Sequence, residues 1–163
     1  MKTFLELNIK KWEYDALIKV RDKLATSVFA YEGDFWENNE EGRGLLFNMN
    51  YTARTRTAWT DADDDQEEEY ACGTVCCIGG WVKIENEGWK PNAKGLIELT
   101  AEMQDSVDNY VDQDYGSPLR ALYYPPDRLD YDAIKPSHAV QAIDNFLNYG
   151  DPMWDDIIPY EEY

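Results

Sequence analysis

The sequence predicts a mainly α-helical fold in a single domain spanning residues 1–163, with room for a small β element between Leu45 and Trp59. Three observations carry that expectation. Apolar residues recur at spacings of three and four in several separate stretches, the signature of helices with one buried face. Apolar residues make up 44% and aromatic residues 14% of the chain, enough to build a core at this length. No internal repeat or linker-like stretch divides it.

In order, Ile9, Trp12, Ala16, Leu17, Val20 and Leu24 mark an amphipathic helix over 9–25. "EGDFWENNEEGRG" reads as loop, being rich in Gly and Asn. "LLFNMNYTARTRTAW" carries Thr and aromatic residues near alternation, which suits a short strand. From Thr74, "TVCCIGGWVKIENEG" reads as a helix capped by Thr74 and ending near Gly88. Gly79 and Gly80 oppose that helix by roughly 1 kcal/mol each, so a close approach of another element is expected there. Leu99, Met103, Val107, Tyr110 and Val111 define a helix over 99–113. A short turn over 117–123 stops at Pro125 and Pro126. A last helix over 137–149 has Ser137 as N-cap, Val140, Ile143, Phe146 and Leu147 as apolar face, and Gly150 past its end.

The formal charge is -18, and its distribution matters more than its size. Residues 1–60 carry nine acidic and nine basic residues, so the excess lies in residues 61–163, with 24 acidic against 6 basic. Such a surface repels nucleic acid and anionic lipid and attracts basic proteins. Arg54 and Arg56 form the only basic stretch, too little to offset the repulsion, so direct nucleic-acid binding is not expected. The N-terminal "MKTFLELNIKKWEYD" lacks the apolar region of a signal peptide, and no run approaches the ~18 apolar residues of a membrane span. A cytoplasmic protein is the expectation, and three cysteines within six positions fit reduced thiols in that compartment.

"LIKVRDKLA", "FNMNY" and "CGTVCCIGGWV", followed by "ALYYPP" and "KPSHAVQAIDNFL", resemble a family of small bacterial and tailed-phage proteins with a CGTxxCxxGW motif. The specific part is Cys72-Gly73-Thr74, Cys77 and Gly80-Trp81. The resemblance implies a compact, largely helical intracellular fold from a phage or bacterial source, acting in the host cell if phage-encoded. It implies no mechanism, because the family has no settled activity. The acidic stretch before Cys72 departs from its pattern.

Chemical sites are weighed against plainer accounts. Asp61, Asp63, Asp65, Glu67 and Glu69 fall at alternate positions of a calcium-loop template. Gln66 replaces its turn glycine and Cys72 its bidentate Glu, so no calcium loop is expected. Zinc would need Cys72, Cys76, Cys77 and His138, but no Cys-x-x-Cys pair exists, and adjacent helical cysteines point ~100° apart. Buried small side chains explain them better. Cys72 before a helix start, with His138 as the sole imidazole, is the one thiol-catalysis candidate. No phosphate loop, dinucleotide fingerprint or nucleophile elbow appears, and neither an enzyme nor a cofactor is expected.

The carboxylates themselves are then the candidate site. "DADDDQEEE" holds Asp61, Asp63, Asp64, Asp65, Glu67, Glu68 and Glu69, forming an acidic loop over about 60–70. On the 99–113 helix, Glu102, Asp105, Asp108 and Asp112 lie opposite the apolar face, with Asp114 just beyond and no Lys or Arg from Gly95 to Pro118. Carboxylates three or four residues apart rise about 4.5–6 Å along a helix, an approximation to a phosphate row. The expected function is a phage-type inhibitor that mimics DNA and fills the nucleic-acid-binding surface of a basic host defence protein, a CRISPR or restriction component. The acidic, aromatic tail over about 151–163 suits either docking on the domain or service as an interaction peptide, and the alternative function is a regulatory adaptor that uses it.

Overall fold

In the computed structural model, which describes residues 1–37, 43–59, 69–112 and 116–159, helices surround a mixed sheet. The chain begins with α1 (Phe4–Leu7) and α2 (Lys11–Ala25), then β1 (Ala30–Tyr31), α3 (Glu32–Glu37), β2 (Gly44–Phe47), β3 (Arg54–Trp59) and β4 (Glu69–Cys76). There follow α4 (Ile78–Glu87), α5 (Ala101–Asp112), α6 (Arg120–Tyr123), a 3-10 turn at Tyr131–Ala133, α7 (Pro136–Tyr149) and α8 (Trp154–Ile157). The helical character holds in part, and the small β element expected between Leu45 and Trp59 is present as two strands of a four-stranded mixed sheet.

The strand order is β1-β2-β4-β3. β1 runs parallel to β2 and β2 parallel to β4, whereas β3 is antiparallel to β4. The central strand β4 is therefore the element that corrects the sequence reading, because Thr74 lies inside it and caps no helix. From Cys72 to Cys77 every residue is buried. A strand covered on both faces shows no alternation, and periodicity alone does not separate it from a buried helix. Thr74 Oγ1 accepts a hydrogen bond from the Ile97 N–H at 2.8 Å and donates to the Ile97 carbonyl at 2.9 Å, lashing residues 96–97 to the sheet. The N-cap of α4 is instead Cys77, whose Sγ accepts from the Gly80 N–H at 3.4 Å.

Register assigns the two faces of the sheet. Phe47 and Cys76 pair and belong to the main core, which gathers residues from Leu7 in α1 to Trp154 in α8. On the other face lie Leu46 and Val75, both fully buried, with Arg54 and Arg56 beside them. α3 meets this second face through Glu32 and Phe35, whose ring lies 6.0 Å from the Arg56 guanidinium. The segment "EGDFWE", read as loop, is thus a short helix stabilised by a distant ion pair and not by its own propensity.

The glycine pair of α4 is explained by contact. A Cβ on Gly80 would sit 1.7 Å from the Thr52 carbonyl oxygen, and one on Gly79 would meet the Tyr123 ring at 3.0–3.1 Å. The expected close approach is therefore present. Trp81 stacks on Phe29 at 4.0 Å between ring centroids, and its Nε1 donates to the Leu46 carbonyl at 3.0 Å. α4 is locked to β2 and to the turn before β3 at once.

The remaining helices follow their apolar stripes, with one correction. α7 starts at Pro136, after Lys135 as N-cap, and not at Ser137. Proline at the first helical position presets the backbone and has no N–H to satisfy. His138 Nδ1 then accepts from the Lys135 N–H at 3.0 Å. The segment around Trp154 is docked, not free: Trp154 is buried and its Nε1 donates to the Ala121 carbonyl at 3.0 Å. Among the described residues no helix is long and apolar enough to cross a membrane.

Replacing Gly80 by Ala forces the Thr52 backbone to move. The Gly80→Ala variant is expected to lose about 3 kcal/mol in urea unfolding, while Gly88→Ala, with no atom near its Cβ, loses less despite its positive φ. Equal midpoints for the wild type and Gly80→Ala would contradict this packing.

Candidate functional site

α5 is built to show carboxylates. Thr100 opens it, its Oγ1 accepting from the Met103 N–H at 3.2 Å. Val107 and Val111 bury its inner line against the core. Glu102, Asp105 and Asp112 are exposed, and Glu102 and Asp105 have no ion-pair partner among the described residues. Asp108 departs from the expected row. It is half-buried and accepts from Thr52 Oγ1 and, at 3.3 Å, from Gln104 Nε2, which also donates to the Ala53 carbonyl. At 100° per residue Asp108 lies only ~40° from Gln104, so it turns to the flank that meets the turn before β3. Its role is to anchor the helix.

Asp112 stands at the C-terminal end of α5, where a negative charge opposes the helix dipole. The Tyr124 hydroxyl donates to Asp112 Oδ1 and partly offsets that cost. Burial first, then this carboxylate, push the Tyr124 hydroxyl well above its ordinary pKa. Along the axis Glu102 and Asp105 are about 4.5 Å apart, and Asp105 and Asp112 about 10.5 Å. Three exposed carboxylates therefore remain of the four expected.

Asp61, Asp63, Asp64, Asp65, Glu67, Glu68 and Asp114 lie outside the described residues, as does the side chain of Glu69. The backbone of Glu69 pairs with Trp59 at the start of β4. α5 touches the chain at Thr52 and Ala53, the other end of β3. Six strand residues separate those points, about 20 Å. Among the described residues, the structure brings together Glu102, Asp105 and Asp112.

A second polar cluster escaped sequence reasoning. Glu32 is fully buried, with Oε2 at 2.7 Å from Arg54 Nη2 and 3.3 Å from Arg56 Nη1. Its Oε1 accepts from Arg54 Nη2 at 2.9 Å and from Asn48 Nδ2 at 3.2 Å. Asn48 Nδ2 also donates to Asp132 Oδ1 at 3.1 Å. Arg54 stacks on the Tyr51 ring at 4.0 Å. A cleft of about 460 Å³ opens beside this cluster, lined by Tyr31, Tyr51 and Asp130 among others. Both Glu32 oxygens are engaged, so the carboxylate serves as an internal counterion and is ill placed to move protons. The only basic stretch of the sequence is turned inward by it. The partners lie 22 and 24 residues apart, and no local pattern signals such a pair.

The thiols face the interior. Cys72, Cys76 and Cys77 are buried, and Cys72 Sγ donates to the Arg56 carbonyl at 3.5 Å. Burial pushes the Cys77 thiol up to about 11, and desolvation raises Cys76 well above the ordinary value. Neutral thiols are weak nucleophiles and poor metal ligands. His138 is spent on the α7 start, and burial lowers its pKa. Among the described residues no three His, Cys, Asp or Glu side chains are grouped to hold a metal ion. A further buried chain runs from Tyr123 to Tyr110 at 2.7 Å, with the Tyr110 hydroxyl donating to Glu13 Oε2 at 2.6 Å. Burial raises both phenols.

No family model, curated protein or solved structure matches the chain, and the resemblance around Cys72 to Trp81 therefore brings no residue role to the site.

Buried neutral thiols and phenols fix the alkaline behaviour. Their folded pKa values exceed the unfolded ones, so their contribution is complete below pH 9.0 for the thiols and 10.0 for the phenols, and is lost as pH rises. The urea midpoint is expected to fall between pH 9 and 11. Cys77→Ser, which keeps an N-cap oxygen, flattens that fall by about one proton. Parallel pH profiles for the two proteins would show that Cys77 is not buried as described.

Proposed function

We propose that α5 presents its carboxylates to the nucleic-acid-binding groove of a basic partner protein, so that the chain competes with DNA there. The observation that carries this reading is the division of labour on α5. Asp108 and Gln104 fix the helix, while Glu102 and Asp105 are exposed with no ion-pair partner among the described residues and Asp112 is exposed at the helix end, bonded by the Tyr124 hydroxyl. Cations are not scarce elsewhere: Lys11, Arg21, Lys23, Arg54, Arg56, Lys83 and Arg128 all form ion pairs within the molecule. A helix kept merely soluble would interleave both signs, and like charges three or four residues apart destabilise it by a few tenths of a kcal/mol per pair. A local rule broken without internal compensation suits a surface reserved for a partner.

The partner is a basic protein that binds DNA in the bacterial cytoplasm, in our reading a CRISPR or restriction component. The chain works by occupancy and without catalysis, cofactor or membrane. The tail-adaptor reading loses Trp154 to the core, and residues 160–163 lie outside the described residues. No observation favours it.

Wild-type protein immobilised in low salt is expected to capture a basic protein from bacterial lysate and to release it on adding duplex DNA or raising the salt. The triple variant Glu102→Lys, Asp105→Lys, Asp112→Lys captures none of it while keeping its circular dichroism spectrum. Asp108 is left intact because its loss would free the helix. Capture that survives the triple reversal and ignores added DNA would refute the reading.

A further inference from the structure

We propose that the groove between residues 121–126 and residues 151–156 seats an arginine side chain of the same basic partner, a proposal that rests on the acidic-surface reading above. The groove has a volume of about 470 Å³ and lies between α6 and α8. Tyr124, Pro126, Pro152 and Met153 give it flat and apolar walls, and Asp151 and Asp156 stand on its rim. It joins α5 directly, because the same Tyr124 hydroxyl bonds Asp112.

Two guanidinium groups of the chain itself already show what these surroundings hold. Arg120 lies over the Tyr124 ring, 4.8 Å from its centroid. Arg128 donates from Nε and Nη2 to Asp155 Oδ1 at 3.0 and 2.5 Å, and from Nη2 to the Ile158 carbonyl at 2.7 Å. Asp155 is thereby neutralised. Asp151 and Asp156 are exposed and have no cationic partner among the described residues. Asp151 Oδ1 accepts from the Met153 N–H at 2.8 Å, which fixes the carboxylate and leaves its second oxygen for another donor.

Arginine fits this chemistry better than lysine. Its planar group is weakly hydrated, stacks on aromatic faces and donates in a fork to carboxylates, whereas an ammonium is a compact, strongly hydrated charge. The stem would lie along the proline and methionine walls, with the head at Asp151 and Asp156. Proteins that bind DNA present Lys and Arg side chains to its phosphates, so such a partner carries arginines of this kind. The α5 row then supplies broad attraction, and this groove supplies a single anchored contact of the kind that carries much of the energy in an interface.

The test is an NMR titration of the full chain with a capped tri-arginine peptide, read at the Met153 methyl and the Trp154 indole. Saturable shifts at both are expected, with none from the neutral isostere tri-citrulline. The double variant Asp151→Asn, Asp156→Asn weakens the arginine peptide by about fivefold or more. Shifts confined to α5 amides would overturn the groove and leave the acidic-surface reading standing. Equal shifts from tri-citrulline would overturn the groove as a cation site. Absence of saturable binding anywhere would remove both.

Discussion

The contact of Gly80 with the Thr52 carbonyl positions the acidic half of the molecule. With no side chain at residue 80, the turn over residues 48–53 settles onto the start of α4, and the Cys77 N–H donates to the Tyr51 carbonyl at 2.7 Å. From that turn, Thr52 and Ala53 hold α5 through Asp108 and Gln104. Asn48, at its beginning, holds Glu32 and Asp132 on the opposite side of the sheet. One turn of chain therefore joins α3, α4 and α5. Moving it would loosen the carboxylate helix and open the buried ion cluster together.

The carboxylates divide into two kinds by the company they keep. Glu13, Glu32 and Asp108 are withdrawn from solvent and are matched by hydroxyl, amide or guanidinium donors. Removing such a partner strands a buried charge, at a cost of roughly 3–5 kcal/mol in comparable cases. Glu102 and Asp105 are exposed and have no ion-pair partner among the described residues. Their mutual repulsion, together with Asp112 against the helix dipole, lowers stability slightly. A chain that matches its withdrawn carboxylates with donors has the means to neutralise these as well. That it leaves them open is the physical ground for reading them as a binding surface.

The helices with a single apolar stripe, α2, α5 and α7, were legible in the sequence because burial on one face writes itself at a period of 3.6. β4 was not, since Cys72 to Cys77 is buried throughout and carries no period. The cap was misplaced with it, from Cys77 to Thr74. The glycine pair gave a true signal of close approach but not of its partner, which is a backbone carbonyl 28 residues earlier. On α5 the acidic pattern was visible, yet the inward turn of Asp108 depends on a threonine 56 residues away. The Glu32 cluster is likewise a product of the fold where composition suggested only a loop, and of the two readings open for the tail the buried Trp154 takes the docked one.

The central claim is that Asp105 and Asp112 are held for a partner at the expense of the fold. It is tested most directly by urea unfolding of the double variant Asp105→Asn, Asp112→Asn at low ionic strength. The variant relieves three like-charge pairs and the dipole clash while keeping an acceptor for Tyr124. A gain of about 1 kcal/mol that shrinks as salt is added is the predicted result. A loss of stability of similar size would show that these carboxylates serve the fold, and would contradict the account.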